Sequence, residues 1–276
     1  MKNLLVFIFL NLYLWTLCGN LMITGIYVRS ENLHSPMYFF LSHLSTCDIF
    51  LSTSVVPVLL CTLLRGETTY TMTIGGCVIQ YLTSASFAVV ECFILTVMSY
   101  DRFLAICKPL HYNTIMTSKF CLHLVMWIWL LGFLISLSVV IMMSLLGFCG
   151  PEIDYVYCDF KPLIQASCSD TSYMELFVIG LTFPIIVCPF IFILLTYVFI
   201  FLAILVIPSS TGREKAFSTC SSHLTVVCTY YGILIAKYAV PVGGQSLGIS
   251  KIISVLYTAV TPLVNPIIYS LPEPRD

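Results

Sequence analysis

Seven stretches of this chain are apolar over the length needed to cross a bilayer: residues 4–28, 37–64, 76–106, 120–146, 174–207, 216–239 and 247–271. A spanning helix needs about 20 mostly apolar residues, and each stretch supplies them. Short polar connections separate the runs, apart from one long loop at 148–173, and there is no internal repeat. Only 9% of the residues are charged, where soluble domains carry about a quarter. A soluble enzyme, a secreted disulfide scaffold and a disordered regulator are thereby excluded. The net charge of −1 leaves no basic footprint for nucleic acid. The chain reads as one all-α domain over 1–276, a seven-helix membrane bundle. Lys2 followed by an apolar run also fits a secretory signal peptide, but the run continues past the length of one.

Basic residues orient such a bundle, because cytoplasmic connections are enriched in Lys and Arg. With the N-terminus outside, the inner face carries Arg29, Arg102, Lys108, Lys119, Arg213, Lys215 and Arg275. The outer face carries Lys2, Arg65, Lys161, Lys237 and Lys251. That margin is small, and the cysteines argue the same way. Most of the thirteen lie inside apolar runs, where a thiol behaves as a small apolar group. Four stand apart: Cys77 at the very start of the third run, and Cys149, Cys158 and Cys168 in the long loop. An even set gathered at one end of the bundle suggests two disulfides and an oxidising exterior; spacing leaves all three pairings open.

Polar residues inside the runs carry the functional signal, since ionisable groups are costly in a bilayer. Asp48 lies mid-run in the second span and Glu91 in the third, with Asn20 and Asn265 at similar depth in the first and last. These oxygens suit a sodium ion or a shared proton; the competing reading is a hydrogen-bonded cluster that holds helices together. Ser84, Ala88, Glu91, Leu95, Met98 and Arg102 share one face of the third helix. Cys77 and Arg102 stand about 37 Å apart along it at 1.5 Å per residue. Asp101 and Arg102 mark its inner end as an ion pair. Prolines at 57, 184, 189, 262 and 266 permit bends.

Six motifs then occur in order. They are Gly19-Asn20, Leu33-His-Ser-Pro-Met-Tyr-Phe-Phe-Leu41, Leu44-Ser-Thr-Cys-Asp48, Met98-Ser-Tyr-Asp-Arg-Phe-Leu-Ala-Ile-Cys107, Lys215-Ala-Phe-Ser-Thr-Cys-Ser-Ser-His-Leu224 and Pro262-Leu-Val-Asn-Pro-Ile-Ile-Tyr-Ser270. With them the chain resembles the odorant receptors among the rhodopsin-like G-protein-coupled receptors, in their tetrapod-type class. The resemblance implies disulfides Cys77–Cys158 and Cys149–Cys168. It implies a sodium site at Asp48 and Glu91 with Asn20 and Asn265 nearby, and no required cofactor. Arg102 becomes a switch held by Asp101 at rest, with Tyr197, His223 and Tyr269 as later partners and Pro266 in the moving last helix. The expected partners are a volatile odorant, a stimulatory olfactory G protein that raises cyclic AMP, and the lipid bilayer of the plasma membrane of sensory cilia. The ligand pocket is expected to be lined by Ser84, Ala85, Ala88, Val89, Tyr231, Leu234, Ile235, Tyr238, Val255 and Thr258, under the long loop. No acid lies in that set, which disfavours amine ligands.

The chain departs from the family pattern at several points. No Asn-x-Ser/Thr acceptor occurs, Val58 follows Pro57 where Lys is usual, and Pro272-Glu-Pro-Arg-Asp276 stands in place of a basic continuation. These changes bear on trafficking and coupling, and keep a truncated or signalling-incompetent receptor as one alternative. A transporter is a second, with kinked helices and buried acids but without the repeat symmetry it requires. The Gly244-Gln-Ser246-Leu-Gly248 match to a hydrolase elbow has no histidine after it and reads as a loop.

Overall fold

The computed structural model describes residues 2–30, 35–65, 70–150, 152–155, 158–239, 253 and 256–270. Its elements are α1 (Lys2–Arg29), α2 (Pro36–Arg65), β1 (Tyr70–Thr73), α3 (Ile74–Cys107), α4 (Pro109–Ile115), α5 (Ser118–Met143), β2 (Glu152–Tyr155), α6 (Phe160–Gln165), α7 (Ser172–Val206), α8 (Ser210–Ala239) and α9 (Thr261–Ser270). Among the described residues, α1, α2, α3, α5, α7 and α8 are long and apolar enough to span a membrane. The seventh expected span is described only at Ile253 and 256–270, where it is helical at 256–259 and through α9. Span ends move by a few residues: α8 begins at Ser210 rather than 216, and α5 ends at Met143 rather than 146. The early start of α8 is a polar turn, which an apolar-run criterion leaves out.

Helix α3 is the axis of the bundle and touches α2, α5, α7 and α8. Over its most apolar stretch it is 56% buried, against 11% for α1 at the rim. The Thr73 hydroxyl opens the helix by accepting the Gly76 N–H at 3.3 Å. Lys108 N–H closes it on the Leu104 carbonyl at 3.0 Å, and Pro109 then starts α4, where its missing N–H is harmless. Large apolar side chains such as Phe7, Trp15, Leu176 and Val206 stand exposed around the outside. That surface suits lipid rather than water.

Close approach of helices depends on small residues. A Cβ on Gly132 of α5 would stand 2.6 Å from Val90 Cγ2 and 3.1 Å from the Ser86 carbonyl oxygen; one on Gly19 would stand 2.8 Å from Pro266 Cβ. Two features were not foreseen in an all-α reading. Strands β1 and β2 pair antiparallel from Tyr70↔Tyr155 to Thr73↔Glu152, and α4 and α6 are short helices within connections. Each strand has four residues, too few for an alternating pattern to announce itself.

Prolines inside spans leave carbonyls without an intrahelical donor, and neighbouring helices supply one. Pro266 cannot donate to the Pro262 carbonyl, which accepts the Asn20 Nδ2–H of α1 at 2.9 Å. Pro189 cannot donate to Ile185, whose carbonyl accepts the Cys92 thiol of α3 at 3.3 Å. Close to Pro57, Gln80 Nε2–H of α3 adds a bond to the Ser54 carbonyl at 2.7 Å, one position beyond the carbonyl that Pro57 itself leaves without a donor. Asn20→Ala should lower stability by about 1–3 kcal/mol, the cost of an unsatisfied buried acceptor. Adding Pro266→Ala restores a helix N–H to Pro262 and should recover part of that loss. Thermal unfolding in detergent measures both, and strictly additive effects would break the assigned link.

Candidate functional site

The half of the bundle that carries the disulfides holds a partly open cavity of about 820 Å³, within the range of small-molecule pockets. Ser84, Ala85, Ala88 and Val89 of α3 line it, with Leu234 and Ile235 of α8 and Thr258. These are seven of the expected lining residues. Val255 lies outside the described residues, as does the Tyr238 side chain. Tyr231 is a correction: it does not line the cavity and is 1% exposed. Its hydroxyl meets Cys92 Sγ at 3.0 Å and its ring lies 4.9 Å from Phe190, so it is a strut joining α3, α7 and α8. Tyr230, one residue earlier, takes the wall position and donates to the Ala88 carbonyl at 2.8 Å.

Ser84 is less available than its position suggests, because its hydroxyl donates to the Gln80 carbonyl at 2.8 Å. Sequence reasoning missed the contribution of α5, where Ile135, Ser136 and Val139 complete the wall. It also missed two acids on the lining, Asp159 and Glu175, so the expectation of an acid-free pocket is corrected. Both come from the long loop and the start of α7, whose folding the apolar pattern does not encode.

The roof is tied down twice, by disulfides Cys77–Cys158 and Cys149–Cys168, with Cα separations of 5.1 and 5.2 Å. Gln80 reinforces the first, its Oε1 accepting the Cys158 N–H at 2.8 Å. Beside the second, Cys149 N–H bonds the Ala166 carbonyl at 3.1 Å and Cys168 N–H the Gly147 carbonyl at 2.8 Å.

Below the cavity lies a polar layer. Asp48 is fully buried and Glu91 is 1% exposed, close enough to interact electrostatically. Asn265 Nδ2–H donates to Asp48 Oδ2 at 2.8 Å. Asn20 is turned instead to the proline carbonyl, with its Oδ1 left over. Asp48 Oδ1, both Glu91 oxygens, Ser45 Oγ, Ser52 Oγ and Thr261 Oγ1 are buried without a hydrogen-bond partner. An all-oxygen donor set around two carboxylates fits a hard monovalent cation or a proton.

At the other end of α3, Asp101 and Arg102 interact electrostatically without a direct salt bridge between them. Successive helix residues do not face each other, and Asp101 instead accepts the Tyr112 hydroxyl of α4 at 2.8 Å. Burial and the Asp101 charge raise the pKa of Tyr112, which keeps its proton for that bond. Tyr197 meets His223 Nδ1 at 2.6 Å. Arg102 lies within electrostatic reach of Tyr197, His223 and Tyr269. Arg102 Nε, His223 Nε2 and the Tyr269 hydroxyl are buried without partners. Pro266 sits within α9, three residues before Tyr269.

A family model described as olfactory receptor matches residues 9–273. The chain belongs to the olfactory receptor family. It is 44% identical over 263 residues to olfactory receptor 11H6 of Homo sapiens, covering 95% of this chain and 79% of that one. It is 42% identical to olfactory receptor 11A1 of Homo sapiens, covering 96% and 83%, and 42% identical to olfactory receptor 5P56 of Mus musculus, covering 98% and 87%. The receptor is thus a multi-pass plasma-membrane protein of the odorant G-protein-coupled class, neither an enzyme nor a transporter. The Gly244–Gly248 motif lies outside the described residues.

Filling the receptor's cavity should block it selectively. In purified receptor, Ala88→Trp should abolish binding of the apolar fluorophore 1-aminoanthracene. Tyr231→Phe, which alters the strut and not the wall, should shift its affinity less than about threefold, under 1 kcal/mol. Equal losses in both variants would contradict the assigned wall.

Proposed function

We propose that the receptor binds a small volatile molecule in the outer cavity and passes the signal to a stimulatory G protein of the olfactory type, raising cyclic AMP. The N-terminus and the disulfide-bonded roof face outward, in an oxidising space. The observation that carries the reading is the unsatisfied polar group around Arg102. It lies at the inner end of α3, the helix whose outer half lines the cavity. Buried polar atoms without partners are costly, so an alternative arrangement that gives Arg102 a partner is accessible. A ligand that binds better when the inner end of α8 tilts outward selects that arrangement. Arg102 then turns toward the G protein, while Tyr197, His223 and Tyr269 rearrange around it.

The polar layer is proposed as a regulator of the same equilibrium. A sodium ion or proton held by Asp48 and Glu91, with Asn265 and Asn20 beside them, stabilises the resting packing. The group supplies charge compensation only; the residues hold α1, α2, α3 and α9 at a fixed spacing.

Cells expressing the chain should raise cyclic AMP to members of a broad odorant panel, with surface staining in parallel. Arg102→Ala should abolish that response and leave ligand binding within about threefold; an intact response in the variant overturns the mechanism. Silence of the unaltered chain at the cell surface would favour a signalling-incompetent receptor. Asp48→Asn should remove the sodium or pH dependence of the odorant response. Unchanged dependence would assign the two acids to holding helices together.

A further inference from the structure

The cavity is apolar in its depth, but its outer mouth gathers charge that the function above does not use. Asp159, Lys161, Glu175 and Lys237 all line it. Asp159 is held in place from several directions. It follows Cys158, which the disulfide to Cys77 and the Gln80 hydrogen bond fix against α3. As the N-cap of α6, its Oδ1 accepts the Phe160 N–H at 2.8 Å. Its Oδ2 accepts Lys237 Nζ at 2.8 Å.

Lys237 lies on the last turn of α8, with Nζ 5.0 Å from the centre of the Tyr257 ring. Its backbone carbonyl accepts Lys161 Nζ at 3.4 Å. One ammonium group thus pairs directly with a carboxylate that already serves a helix cap, and the other lies within its electrostatic reach. Glu175 stands apart on the exposed rim, accepting the Thr171 hydroxyl at 2.8 Å. The pKa of Lys161 is lowered by burial, with Asp159 opposing the shift and the charge of Lys237 adding to it. An anion that displaces Asp159 from Lys237 meets two ammonium groups. An amine would add a third cation around a carboxylate whose two oxygens are both engaged.

We propose that the ligand class of this cavity is amphiphilic carboxylates. The carboxylate lies between Lys237 and Lys161, taking over the role of Asp159 toward Lys237. The alkyl chain descends past Ala85, Ala88, Val89 and Leu234. Charge-assisted hydrogen bonds of this kind are about twice as strong as neutral ones, and the apolar wall rewards chain length. This inference rests on the reading of the cavity as the odorant site.

The test uses full-length receptor in lipid nanodiscs near neutral pH, with octanoate, octan-1-ol and octylamine displacing 1-aminoanthracene. Octanoate should displace the probe at a concentration at least about tenfold below the other two. Lys237→Gln should erase that advantage, and Lys161→Gln reduce it, with octanol unchanged. Asp159→Asn is informative in the opposite direction. Asn caps a helix as well as Asp does, so α6 persists, and loss of the competing carboxylate should tighten octanoate binding about tenfold. Preference for octylamine, weakening by Asp159→Asn, or indifference to Lys237→Gln each overturns the proposal. If octanol displaces the probe and octanoate has no advantage, the ligand class is wrong and the odorant cavity stands. If none of the three displaces the probe and Ala88→Trp leaves probe binding intact, the cavity reading falls as well.

Discussion

A hydrocarbon surrounding offers no hydrogen bonds, so each backbone group in a span must find its partner inside the protein. Straight helices meet that condition alone; helices containing proline do not. Here three proline-bearing helices have carbonyls served by side chains of a neighbour: Pro262 by Asn20, Ile185 by Cys92 and Ser54 by Gln80. Two of the three donors belong to α3. Its central position thus has an energetic basis as well as a geometric one, because α7 depends on its Cys92 to complete the hydrogen bonding that Pro189 interrupts. The same requirement explains why most hydroxyls in the spans turn back on their own helices, as Thr16, Thr62, Ser86 and Thr96 do.

What the sequence made legible follows from this solvent. Apolar runs located the spans, because lipid demands them along the whole length of a helix. Cys77 at the start of a run and the three cysteines of the long loop marked the stapled face, and the buried acids and amides marked the functional layer. What it hid follows from the same cause. Lipid-facing and core-facing residues of α7 are equally apolar: Val178, Ile193 and Ile200 are buried while Leu176, Leu194 and Phe199 are exposed. No amphipathic pattern separates the two faces. On α8, adjacent tyrosines of the same chemistry left the choice between Tyr230 and Tyr231 as the wall residue unreadable from composition. The approach of Asp159 to Lys237 was likewise invisible, since a loop brings the pair together and the Cys77–Cys158 link positions it. At Asp101 the motif was recognised, but its partner came from α4, a short helix that no apolar run announces.

Cavity, polar layer and inner switch are stacked along one helix. Ser84 and Ala88 face the ligand space, Glu91 the polar layer, and Arg102 the inner cluster. Energetic coupling between distant sites requires an element with two discrete arrangements, and α8 reaches both the cavity, through Leu234 and Tyr230, and the inner cluster, through His223. Its contacts with α3 differ in character along its length: a hydrogen bond from Tyr230 to the Ala88 carbonyl in the wall, and unsatisfied nitrogens at the inner end. The contact at the cavity is closed and the one around Arg102 open, which biases any relative motion toward the Arg102 end.

Cys92 belongs to two structures at once. It lines the ligand space, and its thiol completes the hydrogen bonding of α7 at the carbonyl that Pro189 leaves without a donor. A guest molecule that displaces this thiol does more than fill volume. It withdraws a donor from a bent helix, and the backbone there must straighten, rebend or recruit a polar atom of the guest in its place. The shape of a small molecule is in this way converted into the curvature of a helix that reaches the opposite face of the membrane.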